Sequence, residues 1–118
     1  MTVPPFVVPK DRVIILSSGA QDRISLTDAV TAVLRHLNAD WGQVNDSDRM
    51  MNDFNLARKG MLFSEYLTDD DTRFWVITES GHKRTMVMLP REYGKDDVDD
   101  RTGYILHGVM RRDDGCTG

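Results

Sequence analysis

The sequence is poor in cysteine, in long apolar runs and in positive charge, and each shortage excludes a class of protein. Cys116 is the single cysteine in 118 residues, so no disulfide can form within the chain, and a cysteine-based zinc site is not expected. No apolar run approaches the roughly 20 residues that span a bilayer. The start is broken by prolines and lacks the basic region of a secretory leader. We therefore expect a cytoplasmic protein with no membrane partner.

The charge balance is mildly acidic. Fifteen Lys and Arg residues face 19 Asp and Glu residues, for a formal net charge of −4. A protein that coats nucleic-acid phosphates usually presents a clustered basic face, which this balance does not favour. The hydrophobic fraction of 40% and the charged fraction of 29% are typical of a folded domain with one core.

The most informative stretch is a predicted hairpin over residues 73–90. Residues 74–78 are aromatic and β-branched, as strands prefer. Gly81 supplies positive φ in the turn, residues 85–89 form the return strand, and Pro90 ends it. Further strands are predicted at 12–16 and 61–66, and residues 103–110 form either a short strand or a docking tail.

Two helices are predicted between the first two strands. Ser25 caps a helix that ends near Asn38, and Asn45 caps a second helix that reaches Lys59, with Gly60 as its left-handed C-cap. Trp41 is expected to anchor the corner between them. The apolar stripe of the second helix, expected to face the core, is Met50, Met51, Phe54 and Ala57.

These elements predict one α+β domain over residues 1–93. Its core is an antiparallel sheet of about four strands, with two helices packed on one face. The proline-rich residues 1–9 form an N-terminal arm of this domain, and residues 94–118 form an acidic linker and a C-terminal tail.

No catalytic constellation can be assembled from the sequence. A pair of His82 and Glu79 would need a nucleophile or a metal, and the turn is expected to place His82 in solvent. His36, His82 and His107 lack the spacing of metal ligands. We therefore expect no enzyme activity and no cofactor.

Two further patterns are weak signals for a site. Glu65, Glu79 and Glu92 would have to converge to act as paired carboxylates, whereas charged residues facing one another on strands are common. Residues 17–20 follow a strand, as a phosphate loop does, but they lack the glycine-lysine pattern of such loops.

Three surface patterns favour binding over catalysis. An acidic surface would mimic phosphates and occupy a basic groove on a DNA-handling enzyme, although a hydrated loop and linker is the simpler interpretation. A nucleic-acid surface would combine basic residues with aromatic ones. Methionines would form an adaptable partner surface or fill core gaps. The acidic surface would consist of Asp69, Asp70, Asp71, Asp96, Asp97, Asp99 and Asp100. The nucleic-acid surface would consist of the basic residues Arg73, Lys83, Arg84 and Arg91 and the aromatic residues Trp41, Tyr66, Trp75 and Tyr93. The methionines include Met50, Met51, Met86 and Met88.

Several short motifs follow one another between residues 40 and 93. They are D-W-G at 40–42, an acidic helix with Asp48 and Asn52, S-E-Y at 64–66, F-W-V-I-T-E at 74–79 and V-M-L-P-R-E-Y at 87–93. In this order they resemble a family of small proteins encoded on bacterial plasmids, phages and integrated elements. The chain departs from that family at its proline-rich start, at residues 80–83 and in its long tail. The resemblance implies an accessory protein of a mobile genetic element.

The leading hypothesis is therefore a non-enzymatic accessory protein that binds and inhibits a host protein complex. A CRISPR effector or a restriction enzyme is the expected target, which would make the protein an anti-CRISPR or antirestriction factor. The alternative hypothesis is a nucleic-acid-associated accessory or regulatory protein that uses the aromatic and basic hairpin.

Overall fold

The computed structural model of the protein describes residues 13–93 and the backbone of residues 104–105. The strands are β1 Val13–Leu16, β2 Leu62–Leu67, β3 Arg73–Thr78, β4 Arg84–Met88 and β5 Tyr104–Ile105, and the helices are α1 Ser18–Arg23, α2 Leu26–Leu37 and α3 Asp46–Arg58. A single 3₁₀ turn, Pro90–Glu92, follows β4. The protein is an α+β protein, as predicted. The proline-rich arm and the acidic stretch at 94–100 lie outside the described residues.

The sheet is mixed, with the strand order β2-β3-β4-β1-β5. The meander β2-β3-β4 is antiparallel, as expected, but β1 pairs with β4 in parallel, with Val13 opposite Arg84. Parallel pairing is possible here because three helices and two strands separate β1 from β4, which leaves ample chain for a crossover. Strand β5 pairs with the other side of β1. Of the two alternatives predicted for residues 103–110, a short strand or a docking tail, the structure has the short strand, at residues 104–105.

One face of the sheet carries the main core, and the helices over it are α1 and α2. The buried side chains of this core are Ile14, Leu16, Ala20, Ile24, Ala29, Ala32, Val33, Tyr66, Phe74, Val76, Val87 and Leu89. Alternation along the strands points a second set to the opposite face, namely Ile15, Ile77, Met86 and Met88. Met86 and Met88 are thus core residues, whereas the predicted second helix, α3, contributes nothing to the main core.

Helix α1 was not expected, because Ser17 and the residues after it also fit a loop that ends a strand. The hydroxyl of Ser17 instead accepts a hydrogen bond from the N–H of Ala20 at 3.1 Å and caps a six-residue helix. The caps of the two longer helices are as predicted: Ser25 accepts from Asp28 N, and Asn45 accepts from Asp48 N. At the end of α3, Lys59 rather than Gly60 is left-handed, with φ 57°. None of the helices in the described part of the chain has the length and apolar character needed to cross a membrane.

Candidate functional site

Helix α3 presents its large apolar side chains to solvent. Met50, Met51 and Phe54 are 71%, 57% and 58% exposed, and Asn52 is the buried residue of the helix. The prediction that Met50, Met51, Phe54 and Ala57 face the core is therefore wrong, since all four are exposed. A surface helix normally buries its apolar stripe, so an uncovered one is a candidate contact surface for another molecule. We call Met50, Met51 and Phe54 the α3 face.

The reason for this orientation is that α3 is attached to the sheet through polar side chains. Asn52 Nδ2 donates to the carbonyl oxygen of Phe63 at 2.7 Å, and Phe63 N donates to Asn52 Oδ1 at 2.9 Å. One turn later, Asn55 Nδ2 donates to the carbonyl oxygen of Met61 at 2.9 Å. Strand β2 is an edge strand, and these amides satisfy backbone groups that would otherwise pair with another chain.

The D-W-G segment protects the next part of the same edge. Glu65 N donates to the carbonyl oxygen of Trp41 at 3.2 Å, and Gln43 N donates to that of Glu65 at 2.7 Å. Between them Gly42 has φ 73°, and a Cβ there would overlap the Glu65 carbonyl oxygen. The indole of Trp41 is buried, as expected, and donates to Asp53 Oδ1 at 3.1 Å. This motif is therefore explained by edge protection and by the seating of α3.

A groove lies between α3 and the second face of the sheet, continuous with the α3 face through Met51. It has a volume of about 250 Å³ and is lined by three aromatic rings, three aliphatic or thioether side chains and three polar side chains of α3: Phe63, Trp75, Tyr93, Met51, Met61, Ile77, Asp48, Asn52 and Asn55. This volume is below the roughly 300–1,000 Å³ of small-molecule sites, so the groove suits one side chain of a partner better than a whole ligand. We call it the α3 groove.

The aromatic wall of the α3 groove is built from three rings in edge-to-face contact. The centroid of Trp75 lies 4.9 Å from that of Phe63 at an interplanar angle of 83°, and 5.7 Å from that of Tyr93 at 72°. Trp75 Nε1 donates to Glu65 Oε1 at 3.0 Å, which fixes the orientation of the indole. Tyr93 is 52% exposed, so the wall is accessible at its outer end.

His36 lies in a buried polar network on the opposite face of the sheet. Its Nδ1 is 2.6 Å from Ser64 Oγ, and its Nε2 is 2.8 Å from Thr78 Oγ1, which is 2.7 Å from Thr85 Oγ1. Burial, with a smaller contribution from the neighbouring His82, lowers the pKa of His36 from 6.5 to about 3. The imidazole is only 1% exposed, so this neutral histidine holds the core together and is closed to a substrate.

His82 is not in solvent, contrary to the prediction. It is 7% exposed, and its Nε2 lies 2.8 Å from the carbonyl oxygen of Gly60. The turn folds back on the end of α3, where Gly81 N donates to the carbonyl oxygen of Lys59 at 2.8 Å; as predicted, Gly81 has positive φ, 92°. Nowhere in residues 13–93 do three His, Cys, Asp or Glu side chains cluster as metal ligands would. His107 lies outside the described residues.

The three glutamates lie in separate places. Glu65 contacts Trp75, Glu79 lies 3.7 Å from Arg84, and Glu92 sits beside α1. Glu92 lies against residues 17–20, the segment whose place after a strand resembles that of a phosphate loop. Its carboxylate accepts from Ser17 Oγ at 2.6 Å, from Gly19 N at 3.0 Å and from Leu89 N at 2.8 Å. These donors at the start of α1 are therefore engaged by a side chain of the protein itself.

Part of the predicted acidic surface forms the turn between β2 and β3. The carboxylate of Asp70 accepts hydrogen bonds from the hydroxyls of Thr68 and Thr72, and these bonds hold the pKa of Asp70 below its usual value. Asp69 and Asp71 are exposed beside it, and Asp71 takes a left-handed conformation with φ 65°. The remaining members, Asp96, Asp97, Asp99 and Asp100, lie outside the described residues.

The four basic residues of the alternative surface are not brought together. Arg73 begins β3, and Arg84 lies opposite Glu79, just beyond the other end of β3, so about 20 Å of strand separates the two arginines. Arg73 lies 3.2 Å from Glu65, and Arg84 lies beside Glu79. Lys83 and Arg91 are exposed at the two ends of β4.

The aromatic members of that surface divide in the same way. Trp41 and Tyr66 are buried, at 2% and 3% exposure, whereas Trp75 and Tyr93 line the α3 groove. The hydroxyl of Tyr66 donates to the carbonyl oxygen of Asp40 at 2.6 Å, and desolvation raises the pKa of this phenol to about 12. Only two of the four rings are therefore accessible to a ligand.

Comparison of the chain with protein families, with curated proteins and with solved structures found no match. The internal contacts described above explain much of the motif pattern, since Asn52, Trp41, Gly42 and Ser64 all face the protein itself. The sequence did not predict the α3 groove as a candidate binding site. One signal was available: Asn52, at the centre of the helix, is polar and lies on the side away from Met50 and Phe54.

Proposed function

We propose that this chain is a non-enzymatic accessory protein that binds another protein through the α3 face and the α3 groove. The observation that carries the proposal is the exposure of Met50, Met51 and Phe54 on a helix that is seated by an asparagine. Methionine side chains adapt to the shape of a partner, and aromatic residues such as Trp75 and Tyr93 are common anchors at interfaces. The neutral imidazole of His36 is buried and closed to a substrate, so it does not favour a catalytic role over protein binding.

The partner that we propose is a host defence complex, either a CRISPR effector or a restriction enzyme. Support for this class comes from the resemblance to proteins of plasmids and phages. The net charge of −4 also favours encounter with the basic surfaces that DNA-handling enzymes present. Asp69 and Asp71 are exposed and would act at the rim of such an interface, where charge speeds association more than it adds affinity.

A capture experiment with matched variants tests the proposed surface. The tagged protein is incubated with lysate of a bacterial host, and captured complexes are identified by mass spectrometry. We expect a defence complex to be retained by the native chain and lost by Met51→Lys/Phe54→Lys. The control is Leu26→Lys on α2, because Leu26 is 51% exposed and lies away from the groove. Equal retention by all three chains would contradict the proposal.

A functional assay tests the proposed inhibition. Cells that carry a restriction system or a CRISPR system are transformed with a targeted plasmid in the presence of the protein. We expect transformation to rise with the native chain and with Leu26→Lys, and to stay at the background level with Met51→Lys/Phe54→Lys. If no defence system is relieved while a partner is still captured through the α3 face, the protein-binding role stands and the inhibitory role is refuted.

The nucleic-acid alternative remains second, because Arg73 and Arg84 each lie beside a glutamate. Its remaining support is the exposure of Lys83 and Arg91 together with the accessible ring of Tyr93. A shift of an oligonucleotide at low salt that disappears in Lys83→Glu/Arg91→Glu would favour it over protein binding.

A further inference from the structure

We infer that the α3 groove receives an arginine or lysine side chain of the partner protein, carried on a segment whose neighbouring residues are apolar. The inference rests on the proposed function, since it specifies the chemistry of the partner at the same surface. It follows from the aromatic wall, from the single carboxylate in the lining and from the size of the groove.

The aromatic wall is suited to a cation. Phe63, Trp75 and Tyr93 are held in a fixed edge-to-face arrangement, and the negative ring faces of aromatic side chains attract guanidinium and ammonium groups. Met51 and Met61 provide an apolar surface for the methylene stem of such a side chain. The chain already uses this interaction on α3, where the guanidinium of Arg58 lies 4.6 Å from the ring centroid of Phe54.

The polar lining selects a positive group over a negative one. Asp48 is the one carboxylate among the lining residues, and none of them is Lys or Arg. One N–H of Asn52 and one of Asn55 donate to the carbonyl oxygens of Phe63 and Met61, so each amide has at most one N–H left for a ligand, and neither carries a positive charge that would favour an anion. A cation whose stem lies against the rings would therefore meet a carboxylate and no repelling charge.

The dimensions indicate a side chain within an apolar segment. A groove of about 250 Å³ is too small for a typical small-molecule ligand but large enough for one long side chain. Met50 and Phe54 lie on the exposed side of the same helix, where they would contact the apolar neighbours of the inserted residue. This combination of a central anchor and an apolar surround is typical of energetically important contacts in interfaces.

A peptide-display selection tests the inference with a defined probe. The immobilised full chain is presented with a random library of displayed 12-residue peptides, and enriched sequences are read out. We expect enrichment of peptides with one Arg or Lys flanked by apolar residues. Binding of the selected peptides, synthesised and titrated in solution, should weaken about tenfold with Asp48→Asn, the usual effect of removing a charged hydrogen-bond partner. It should weaken more with Trp75→Ala.

The matched control is Asp28→Asn. Asp28 and Asp48 both lie in the first turn of a helix, and the N–H of each donates to a capping side chain, at 3.0 and 2.8 Å. Loss of either carboxylate should therefore have a similar effect on folding, whereas only Asp48 lines the groove. Charge reversal with Asp48→Lys should move the selection toward peptides with Asp or Glu, and Asp28→Lys should leave it unchanged.

The outcomes separate the inference from the proposed function. Enriched peptides that lack a basic residue, or that bind Asp48→Asn and Asp28→Asn equally, would overturn the cation site. If those peptides still fail to bind Met51→Lys/Phe54→Lys, the proposed protein-binding surface survives without the cation preference. If no peptide is enriched on the native chain, the inference fails. The proposed function would then depend on the capture experiment alone, in which the native chain retains a partner from the lysate and Met51→Lys/Phe54→Lys does not.

Discussion

Asn52 on α3 hydrogen-bonds through one amide to both the N–H and the C=O of Phe63, at 2.9 and 2.7 Å. The amide thus takes the place of a neighbouring strand at one position of the β2 edge. Because this polar contact seats the helix, α3 does not need to bury its apolar residues, and Met50, Met51 and Phe54 remain exposed. Stability and the candidate binding surface therefore depend on the same orientation of α3.

Replacement of Asn52 tests this relationship. Asn52→Ala leaves a backbone donor and a backbone acceptor of Phe63 without partners, in a site where Asn52 is only 2% exposed. We expect the free energy of unfolding, measured by urea denaturation, to fall by about 2–4 kcal/mol. The control is Asn55→Ala, which removes a single hydrogen bond that is exposed to solvent and should lower the free energy of unfolding by about 1 kcal/mol. An equal loss in both variants would show that Asn52 does not hold the helix.

Two glycines with positive φ differ in their surroundings and separate backbone strain from steric overlap. Gly42 has φ 73° and faces the carbonyl oxygen of Glu65, whereas Gly81 has φ 92° and open space where a Cβ would lie. Gly81→Ala should cost about 1–2 kcal/mol from strain alone. Gly42→Ala should cost at least about 2 kcal/mol more, since it also displaces the D-W-G segment from the β2 edge. Thermal and urea unfolding of the pair provide the comparison, and similar losses would contradict the edge-protection role.

The buried imidazole of His36 predicts a dependence of stability on pH. Its folded pKa of about 3 lies below the unfolded value of 6.5, so the unfolded state binds more protons as the pH falls. The stability contributed by neutral His36 is complete above pH 6.5 and is lost progressively toward pH 3. Between pH 7.5 and pH 5, before most carboxylates titrate, we expect a loss of about 2 kcal/mol.

His36→Gln provides the comparison for this pH dependence. Gln lacks a titratable group but keeps a donor and an acceptor for the hydroxyls of Ser64 and Thr78. The variant should be less stable than the native chain at pH 7.5, yet it should lose much less stability between pH 7.5 and pH 5. Parallel curves for the two proteins would show that His36 is not the group responsible.

The carboxylate of Glu92 offers a test of the contact between the 3₁₀ turn and the start of α1. Glu92→Ala removes the acceptor shared by Ser17, Gly19 and Leu89, and should lower the free energy of unfolding by about 2–3 kcal/mol. Gly19→Ala should also destabilise the chain, because a Cβ there would lie 2.7 Å from the carboxyl carbon of Glu92. If the two changes are combined, the penalty of Gly19→Ala should shrink, since its obstacle is gone. Additive losses would contradict this contact.

Local signals in the sequence predicted most of the elements but not their long-range arrangement. Ser25 and Asn45 were recognised as helix caps and Gly81 as a turn residue, because each acts on groups within four residues of itself. The parallel pairing of β1 with β4 depends on residues 71 positions apart in the chain, and no local pattern specifies it. His82 was placed in solvent for the same reason: its partner, the carbonyl of Gly60, is 22 residues away.

The candidate site was missed because apolar spacing does not reveal which side of a helix is attached to the protein. Met51 and Phe54 have the spacing of a core stripe, and the same spacing fits an exposed binding face. The amide of Asn52 decides between the two, and its partner on β2 lies 11 residues further along the chain. A polar residue at the centre of a short, otherwise amphipathic helix is the sequence feature that would have indicated this arrangement.

The affinity of the purified partner complex for variants of the α3 face tests the central claim most directly. Titration calorimetry would give the dissociation constant for the native chain, for Met51→Lys/Phe54→Lys and for the control Leu26→Lys, each first shown to unfold with native cooperativity. We predict that the double variant binds at least about 100-fold more weakly, as expected for the loss of two interface anchors, and that the control binds as the native chain does. A double variant that keeps native affinity would contradict the claim that α3 is the binding surface.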